Sequence, residues 1–174
     1  MSIFIAATVA LEQWSVADAV IMVAIAGPES GYNLRAEGDP WWIYPAAVQA
    51  EAQLYACPTY TSIGLWQINM YPNRDIVAAI TSSSDPCFWT NQLKFAGINA
   101  LAARRIRDRQ GYGAWTAFLN GSYQAFMDRA LSAVNQVLGL GGQPGLIVPV
   151  EPPFAAVAPP SFPVSPSVPP VAPL

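Results

Sequence analysis

The distribution of proline limits most strongly what this chain can fold into. Residues 141–174, GGQPGLIVPVEPPFAAVAPPSFPVSPSVPPVAPL, carry most of the 17 prolines and a single charged residue, Glu151. Proline fixes φ and has no N–H to donate, so neither a helix nor a central strand persists through such a segment. The sequence therefore predicts one folded domain over residues 1–140 and an extended Pro-rich C-terminal arm over residues 141–174.

The predicted arm is apolar, unlike a solvated linker. It carries many large apolar side chains that an extended strand cannot bury within itself, which favours docking in a groove. We expect residues 143–174 to lie along a neighbouring subunit, with Phe154 and Phe162 as anchors. A spacer or tail without a docking partner is the alternative.

The composition excludes several kinds of site. Histidine is absent, which removes Ser-His-Asp and Cys-His catalysis and the His-bearing zinc sites. With a net charge of −3, the chain gives no reason to expect nucleic acid as a partner. Only 11% of the residues are charged, which favours a surface that packs against other subunits. Any chemistry then depends on carboxylates, hydroxyls, amides or arginine, and we expect no metal and no cofactor.

Two cysteines, Cys57 and Cys87, are too few for a disulfide framework and have no metal-ligand spacing. One bridge between them and two unlinked thiols are both compatible with the sequence.

The N-terminal stretch MSIFIAATVALEQW is apolar, but it lacks a basic segment, and Glu12 interrupts it before a cleavage site. It is also too short to span a bilayer, as is the apolar run over residues 16–26. We expect core helices here, with no signal peptide and no membrane span. The protein then reaches an extracellular target by lysis or inside a particle.

Helical patterns dominate the first 140 residues. Ser15 is a candidate N-cap for a helix that Gly27 and Pro28 weaken. A later helix has an apolar stripe through Phe95, Ile98, Ala102 and Ile106, with Arg104 and Arg107 on a solvated or assembly-facing side. Residues 39–85 are rich in turn residues and aromatics, which is typical of a small sheet or an irregular lobe. The predicted fold class is α+β, mostly α.

The stretch AIAGPESGYN, residues 24–33, puts Glu29 at the C-terminal end of the predicted second helix. The negative end of the helix dipole and burial beside Tyr32 both favour the protonated carboxyl, so we expect a raised pKa. A carboxyl that keeps its proton can act as the general acid that glycosidic cleavage needs. For an isolated glutamate, a capping or surface role is the alternative.

A second motif, TSIGLWQINMYP over residues 61–72, combines a hydroxyl, a glycine, an indole and two amides. Gln67 and Asn69 alternate with apolar residues, a pattern that can line a groove with donors and acceptors suited to sugar hydroxyl and N-acetyl groups. Upstream, Trp41, Trp42 and Tyr44 predict a sugar-stacking platform with one exposed ring. Core packing is the alternative for one of the two tryptophans.

Taken together, ESGYN, SIGLWQIN some thirty residues later, GYGAWTAF and a closing Tyr-bearing helix resemble the lysozyme-like superfamily. The resemblance is to SLT-type lytic transglycosylases in particular, and to related wall-degrading domains of bacteriophage particles. It covers residues 4–138 and implies a lysozyme-like fold with a catalytic cleft. Three features depart from the family pattern: Pro28 before the acid, the long interval with DPWWIYP, and the Pro-rich arm.

The resemblance also implies roles for individual residues. Glu29 matches the catalytic acid, and Ser30 its companion. The residues that match the S-x-G-x-x-Q-x-N signature of the sugar cleft are Ser62, Gly64, Gln67 and Asn69. Gly113 and Trp115 fall where the family has a glycine followed by an aromatic residue. Tyr123 matches the tyrosine that approaches the acid from the last helix, and Trp42 is the candidate stacking ring for substrate.

A second carboxylate decides the type of reaction. Retaining and inverting hydrolases need one roughly 5–10 Å from the acid. The candidates are Glu37, Asp39 and Glu51, and none lies in a motif that marks it. SLT-type enzymes use one acid, which also serves as base while the 6-hydroxyl of the sugar closes an anhydro ring. The resemblance therefore favours the transglycosylase route.

The function that the resemblance implies is cleavage of the β-1,4 bond between N-acetylmuramic acid and N-acetylglucosamine in peptidoglycan. The low charge and the arm favour a phage tail protein in the virion that opens the wall during entry, with glycan strands and other tail proteins as partners. A non-catalytic structural or wall-binding virion protein that keeps the fold is one alternative. A free endolysin that acts at host lysis is another.

Overall fold

The computed structural model describes residues 2–44, 46, 49 and 60–140, and the predicted arm lies outside them. The α-helices of this part are α1 (Ser2–Gln13), α2 (Val16–Ser30), α3 (Arg74–Thr81), α4 (Pro86–Gln92), α5 (Ala96–Gln110), α6 (Thr116–Leu119) and α7 (Met127–Val137). Its short 3₁₀ helices are Trp41–Ile43, Tyr112–Ala114 and Ser122–Phe126. The strands are β1 (Glu37–Pro40), β2 (Tyr60–Ile63) and β3 (Ile68–Asn69). The predicted fold class, α+β and mostly α, is confirmed for these residues.

Helix α2 is the centre of the core. The predicted N-cap is confirmed, because Ser15 Oγ accepts a hydrogen bond from the Asp18 N–H at 3.2 Å. Every residue from Ala19 to Gly27 is buried, since α1, α7 and the 3₁₀ helix Ser122–Phe126 all pack against α2. None of the described helices combines the length and apolarity needed to cross a membrane.

The C-terminal part of α2 continues through the residues expected to weaken it. Pro28 stands within the helix, which ends only at Ser30. At Gly27 a Cβ atom would lie 2.3 Å from the Phe126 ring, so glycine allows that ring to pack directly on the helix backbone. Gly31 then ends the helix in the left-handed conformation (φ 61°), a common helix C-terminus. Glu29 consequently lies in the last turn of α2.

The sheet is antiparallel with the order β1-β2-β3. Ser62 lies on the central strand, β2, where it pairs with Gly38 on β1 and with Asn69 on β3. This pairing brings the SIGLWQIN motif beside the segment that follows α2. The turn between β2 and β3 therefore holds the middle of the motif close to the end of α2.

Helix α5 agrees with its predicted stripe only in part. Ala102 and Ile106 are buried as expected, but Phe95 is 61% exposed and lies at the N-cap, so its assignment to the core stripe is wrong. Arg107 is also not on a purely solvated side. Its Nη2 lies 2.7 Å from Asp18 Oδ1 on α2, which ties α5 to the start of the core helix.

Candidate active site

A polar cavity of about 350 Å³ opens between the end of α2, the sheet and the segment that leads into α6. The described residues that line it are Glu29, Asp39, Ser62, Gln67, Asn69, Ala114, Trp115 and Thr116. Most of these residues carry a hydroxyl, an amide or a carboxylate, and fewer are apolar. None of the lining residues is a lysine or an arginine. Such a surface offers hydrogen-bond donors and acceptors to a neutral, hydroxyl-rich ligand.

Glu29 meets the cavity from the last turn of α2 and is half-buried. Burial raises the pKa of its carboxyl, because removal from water disfavours the charged form. The N–H of Ala117 opposes this by donating to Oε1 at 3.1 Å, and the negative charge of Asp39 raises the pKa further. The net effect is a raised pKa, so Glu29 keeps its proton to a higher pH than an ordinary glutamate.

Asp39 is the second carboxylate of the cavity. It has a left-handed backbone (φ 53°), a conformation that costs a non-glycine residue roughly 1 kcal/mol or more. Two consecutive hydroxyls on β2 hold it there. Thr61 Oγ1 donates to the Asp39 carbonyl at 2.8 Å, and Ser62 Oγ donates to Asp39 Oδ2 at 2.5 Å. Asp39 is exposed while Glu29 is half-buried, so the two carboxyls have different environments.

Gly64 shapes the turn that carries Gln67. Its φ is +83°, and an added Cβ atom would lie 2.3 Å from Asn99 Nδ2 and 2.7 Å from the Leu93 carbonyl oxygen. Asn99 is fully buried and uses its amide on this turn, since Nδ2 donates to the Ile63 carbonyl and Oδ1 accepts from the Trp66 N–H. Gly64 therefore has a structural role beneath the cavity.

The two amides of the motif both line the cavity. Gln67 has a left-handed backbone (φ 43°), and its Nε2 donates to the Gly64 carbonyl at 3.0 Å. Asn69 donates from Nδ2 to the Tyr44 hydroxyl at 2.6 Å and accepts at Oδ1 from the Tyr71 N–H at 3.1 Å. These bonds fix the orientation of both side chains at the cavity wall.

Besides Gly64, three predicted substrate-binding residues lie outside the lining of this cavity. Ser30 donates from Oγ to the Leu65 carbonyl at 2.7 Å, which joins the end of α2 to the motif turn. Tyr123 is buried and stacks on Phe118 with ring centroids 4.9 Å apart. Trp42 is 52% exposed, as expected for one ring of the platform, and meets Trp41 edge to face.

Trp115, matched only loosely by sequence, belongs to the cavity wall. It is buried, and its Nε1 donates to the Trp66 carbonyl at 2.8 Å, while Trp66 Nε1 donates to the Met22 carbonyl at 2.7 Å. The indoles thus connect the wall to the centre of α2. Gly113, matched in the same segment, is not part of the lining.

No family model, curated protein or solved structure matches this chain. The lysozyme-like resemblance therefore depends on the motif residues themselves.

The remaining predicted residues lie away from the cavity or outside the described residues. Glu37, on β1, pairs with Lys94 at 2.5 Å. Glu51 and Cys57 lie outside the described residues, so a role of Glu51 as second carboxylate stays a prediction. Cys87 is disulfide-bonded, and its pairing with Cys57 likewise stays a prediction. Within the described part of the chain, no three acidic or cysteine side chains gather as a metal site.

Sequence reasoning missed three contributors to the cavity. Ala114 and Thr116 lie on either side of Trp115 in the GYGAWTAF motif, but neither side chain by itself indicates a sugar-binding wall. The Ala117 N–H, which binds Glu29, is a backbone donor and leaves no trace in the sequence.

Proposed function

We propose that this protein is a glycosidase that cleaves the β-1,4 bond between N-acetylmuramic acid and N-acetylglucosamine in peptidoglycan. The observation that carries the proposal is the pair of unlike carboxyls in one polar cavity. Glu29 is half-buried with a raised pKa, and Asp39 is exposed and held by Ser62. Two carboxyls in different environments are the arrangement that glycosidic cleavage uses.

In the proposed reaction, Glu29 donates its proton to the glycosidic oxygen as the bond to the leaving sugar breaks. The carboxylate of Asp39 faces the sugar ring on which positive charge develops, and Ser62 holds that carboxylate by its hydrogen bond to Oδ2. Gln67 and Thr116 offer an amide and a hydroxyl to the sugar substituents. The exposed ring of Trp42 provides an apolar face for a neighbouring sugar.

Asp39 favours hydrolysis over the transglycosylase route that the resemblance favours. A single acid suffices for transglycosylation, whereas a hydrolase uses a second carboxylate as nucleophile or as base for water. Asp39 supplies such a group. Hydrolysis adds one water to the cleaved bond and leaves a reducing end, while transglycosylation leaves a 1,6-anhydromuramic end that is lighter by one water.

Mass analysis of the fragments from purified peptidoglycan tests this proposal. We expect the wild-type protein to release fragments with reducing ends, and Asp39→Asn to lose at least roughly 10²-fold in rate, because asparagine tolerates the same backbone but carries no charge. The matched control is Asp128→Asn, an exposed carboxylate in the first turn of α7. Anhydro ends with full activity in Asp39→Asn would favour the transglycosylase instead, and absence of fragments would contradict the proposal.

The proposed setting is the phage virion, where the protein opens the wall during entry and docks through residues 143–174. The low charge and the apolar Pro-rich arm support this setting over a free endolysin. A non-catalytic virion protein would be expected to have a filled cleft or a misdirected acid. Glu29 instead lines an open cavity, which favours the enzyme.

A further inference from the structure

The segment from Tyr112 to Ala117 contacts both ends of the central helix α2. At its start, the Tyr112 hydroxyl hydrogen-bonds to Asp18 Oδ1 in the first turn of α2. At its end, the Ala117 N–H donates to Glu29 Oε1 in the last turn. Between these two contacts, Ala114, Trp115 and Thr116 line the cavity. We call residues 112–117 the cavity strap.

Asp18 is the charged anchor of the cavity strap. Its Oδ1 also accepts from Arg107 Nη2 at 2.7 Å, and its Oδ2 accepts from Ser15 Oγ at 2.9 Å. Burial acts to raise the pKa of Asp18, but hydrogen bonds from Tyr112 and Ser15 and the charge of Arg107 outweigh it, and the pKa is lowered. Burial and the bond to Asp18 raise the pKa of Tyr112 to about 12. Near neutral pH the anchor therefore joins a carboxylate to a neutral phenol.

Ring stacking stiffens the cavity strap and the helix that follows it. Tyr112 stacks on Phe118 with centroids 5.1 Å apart, and Phe118 stacks on Tyr123 at 4.9 Å. The Arg107 guanidinium lies over the Tyr112 ring at 5.0 Å from its centroid. These stacked rings connect Tyr112 to the short helix Thr116–Leu119, so we expect a displacement of Tyr112 to reach the residues around Ala117.

We infer that Asp18 is a positioning residue for Glu29, acting through Tyr112 and the cavity strap to hold the Ala117 N–H against the carboxyl. The inference rests on the proposed role of Glu29 as proton donor for its link to catalysis, but the coupling between the two sites does not depend on it. Loss of the anchor loosens the cavity strap, the N–H withdraws, and Glu29 loses the one contact that lowers its pKa.

The sign of the effect separates positioning from simple electrostatics. Removing the negative charge of Asp18 would lower the pKa of any nearby carboxyl, whereas withdrawal of the N–H raises it. The charged and titratable groups on the elements around Glu29 and the anchor are Glu37 and Asp39 on β1, Arg104, Arg105, Arg107, Asp108 and Arg109 on α5, Glu12 on α1, Tyr112 and Tyr123 on the 3₁₀ helices, and Asp128 and Arg129 on α7. Of these groups, only Arg107 and Tyr112 contact Asp18, and the positive charge that Asp18→Asn leaves on Arg107 would also lower the pKa of a nearby carboxyl.

The test is a pH titration of Glu29 by NMR in protein with ¹³C-carboxyl-labelled glutamate. The chain has five glutamates, and the Glu29 signal is assigned by its disappearance in Glu29→Gln. We expect Asp18→Asn and Tyr112→Phe each to raise the pKa of Glu29 by roughly half a unit to one unit, the size expected for one lost hydrogen bond. Asp75→Asn, which breaks a comparable carboxylate pair with Arg109 at 2.7 Å, should leave it unchanged.

An unchanged or lowered pKa of Glu29 in Tyr112→Phe would overturn the inference. Tyr112→Phe alters no charge at neutral pH, so it decides the question whether or not Asp18→Asn folds. Cleavage of peptidoglycan supplies the second readout, in which we expect kcat to change in the two anchor variants while KM stays constant. If the wild-type protein cleaves no peptidoglycan, the proposed function fails, and the titration still decides the coupling between Asp18 and Glu29.

Discussion

At Glu29, burial and the negative charge of Asp39 both favour the protonated carboxyl, and one backbone N–H opposes them. The sequence predicted this residue and the direction of its pKa. Burial, one of the two causes expected for the raised pKa, is the largest cause in the structure, and the charge of Asp39 adds a cause that was not expected. Asp39 was one of three candidates for the second carboxylate, but the sequence could not single it out, because its approach to Glu29 depends on a left-handed backbone and on the strand register.

Glu29 should make the stability of the fold depend on pH. A group with a raised folded-state pKa contributes stability that is fully present below its unfolded value, here 4.5, and is lost as the pH rises through the folded value. Glutamine does not titrate. The Tm of Glu29→Gln relative to wild type should therefore increase between about pH 4 and about pH 7. Thermal unfolding at both pH values measures this, with the exposed Glu12→Gln as control; a constant difference would contradict it.

At the scale of elements, the helices were the most predictable part. The N-cap at Ser15 and the burial of α2 could be predicted from the local sequence, because the spacing of apolar residues that indicates a helix lies within the helix itself. The course of residues 60–69 was less predictable, since the turn depends on a buried amide from α5, Asn99, that no local pattern reveals. The contact between Ala117 and Glu29 is equally invisible in sequence because its donor is backbone.

The turn between β2 and β3 gives a prediction at this scale. Gly64→Ala should lower the free energy of unfolding by roughly 2 kcal/mol or more, because the position combines a positive φ with contacts to Asn99 and the Leu93 backbone. Gly97→Ala, within α5 with no atom near its Cβ position, should be neutral or stabilising by up to about 1 kcal/mol. Denaturant unfolding compares the two. Equal effects would show that the turn tolerates a side chain.

At the scale of the whole molecule, composition predicts a folded domain over residues 1–140 and a Pro-rich arm after it. The cavity, its two carboxylates and the cavity strap all lie within residues 2–140. The arm carries the predicted anchors Phe154 and Phe162 and lies outside the described residues. Catalysis and assembly are therefore expected to be separable.

Deletion of residues 143–174 tests that separation. The truncated protein should cleave purified peptidoglycan at nearly the wild-type rate, since none of the described cavity residues is removed. It should fail to enter phage particles, because the apolar segment predicted to dock on a neighbouring subunit is gone. Incorporation is measured by immunodetection in purified particles. Normal incorporation of the truncated protein would contradict the anchoring role.

The rate at which Glu29→Gln releases soluble fragments from purified peptidoglycan tests the central claim most directly. Glutamine keeps the shape of the side chain but has no proton to donate, so the rate should fall by at least roughly 10²- to 10⁴-fold relative to wild type. Glu12→Gln, the same change at an exposed position of α1, should retain the wild-type rate. A Glu29→Gln variant that is folded and cleaves as fast as wild type would contradict the assignment of Glu29 as the proton donor.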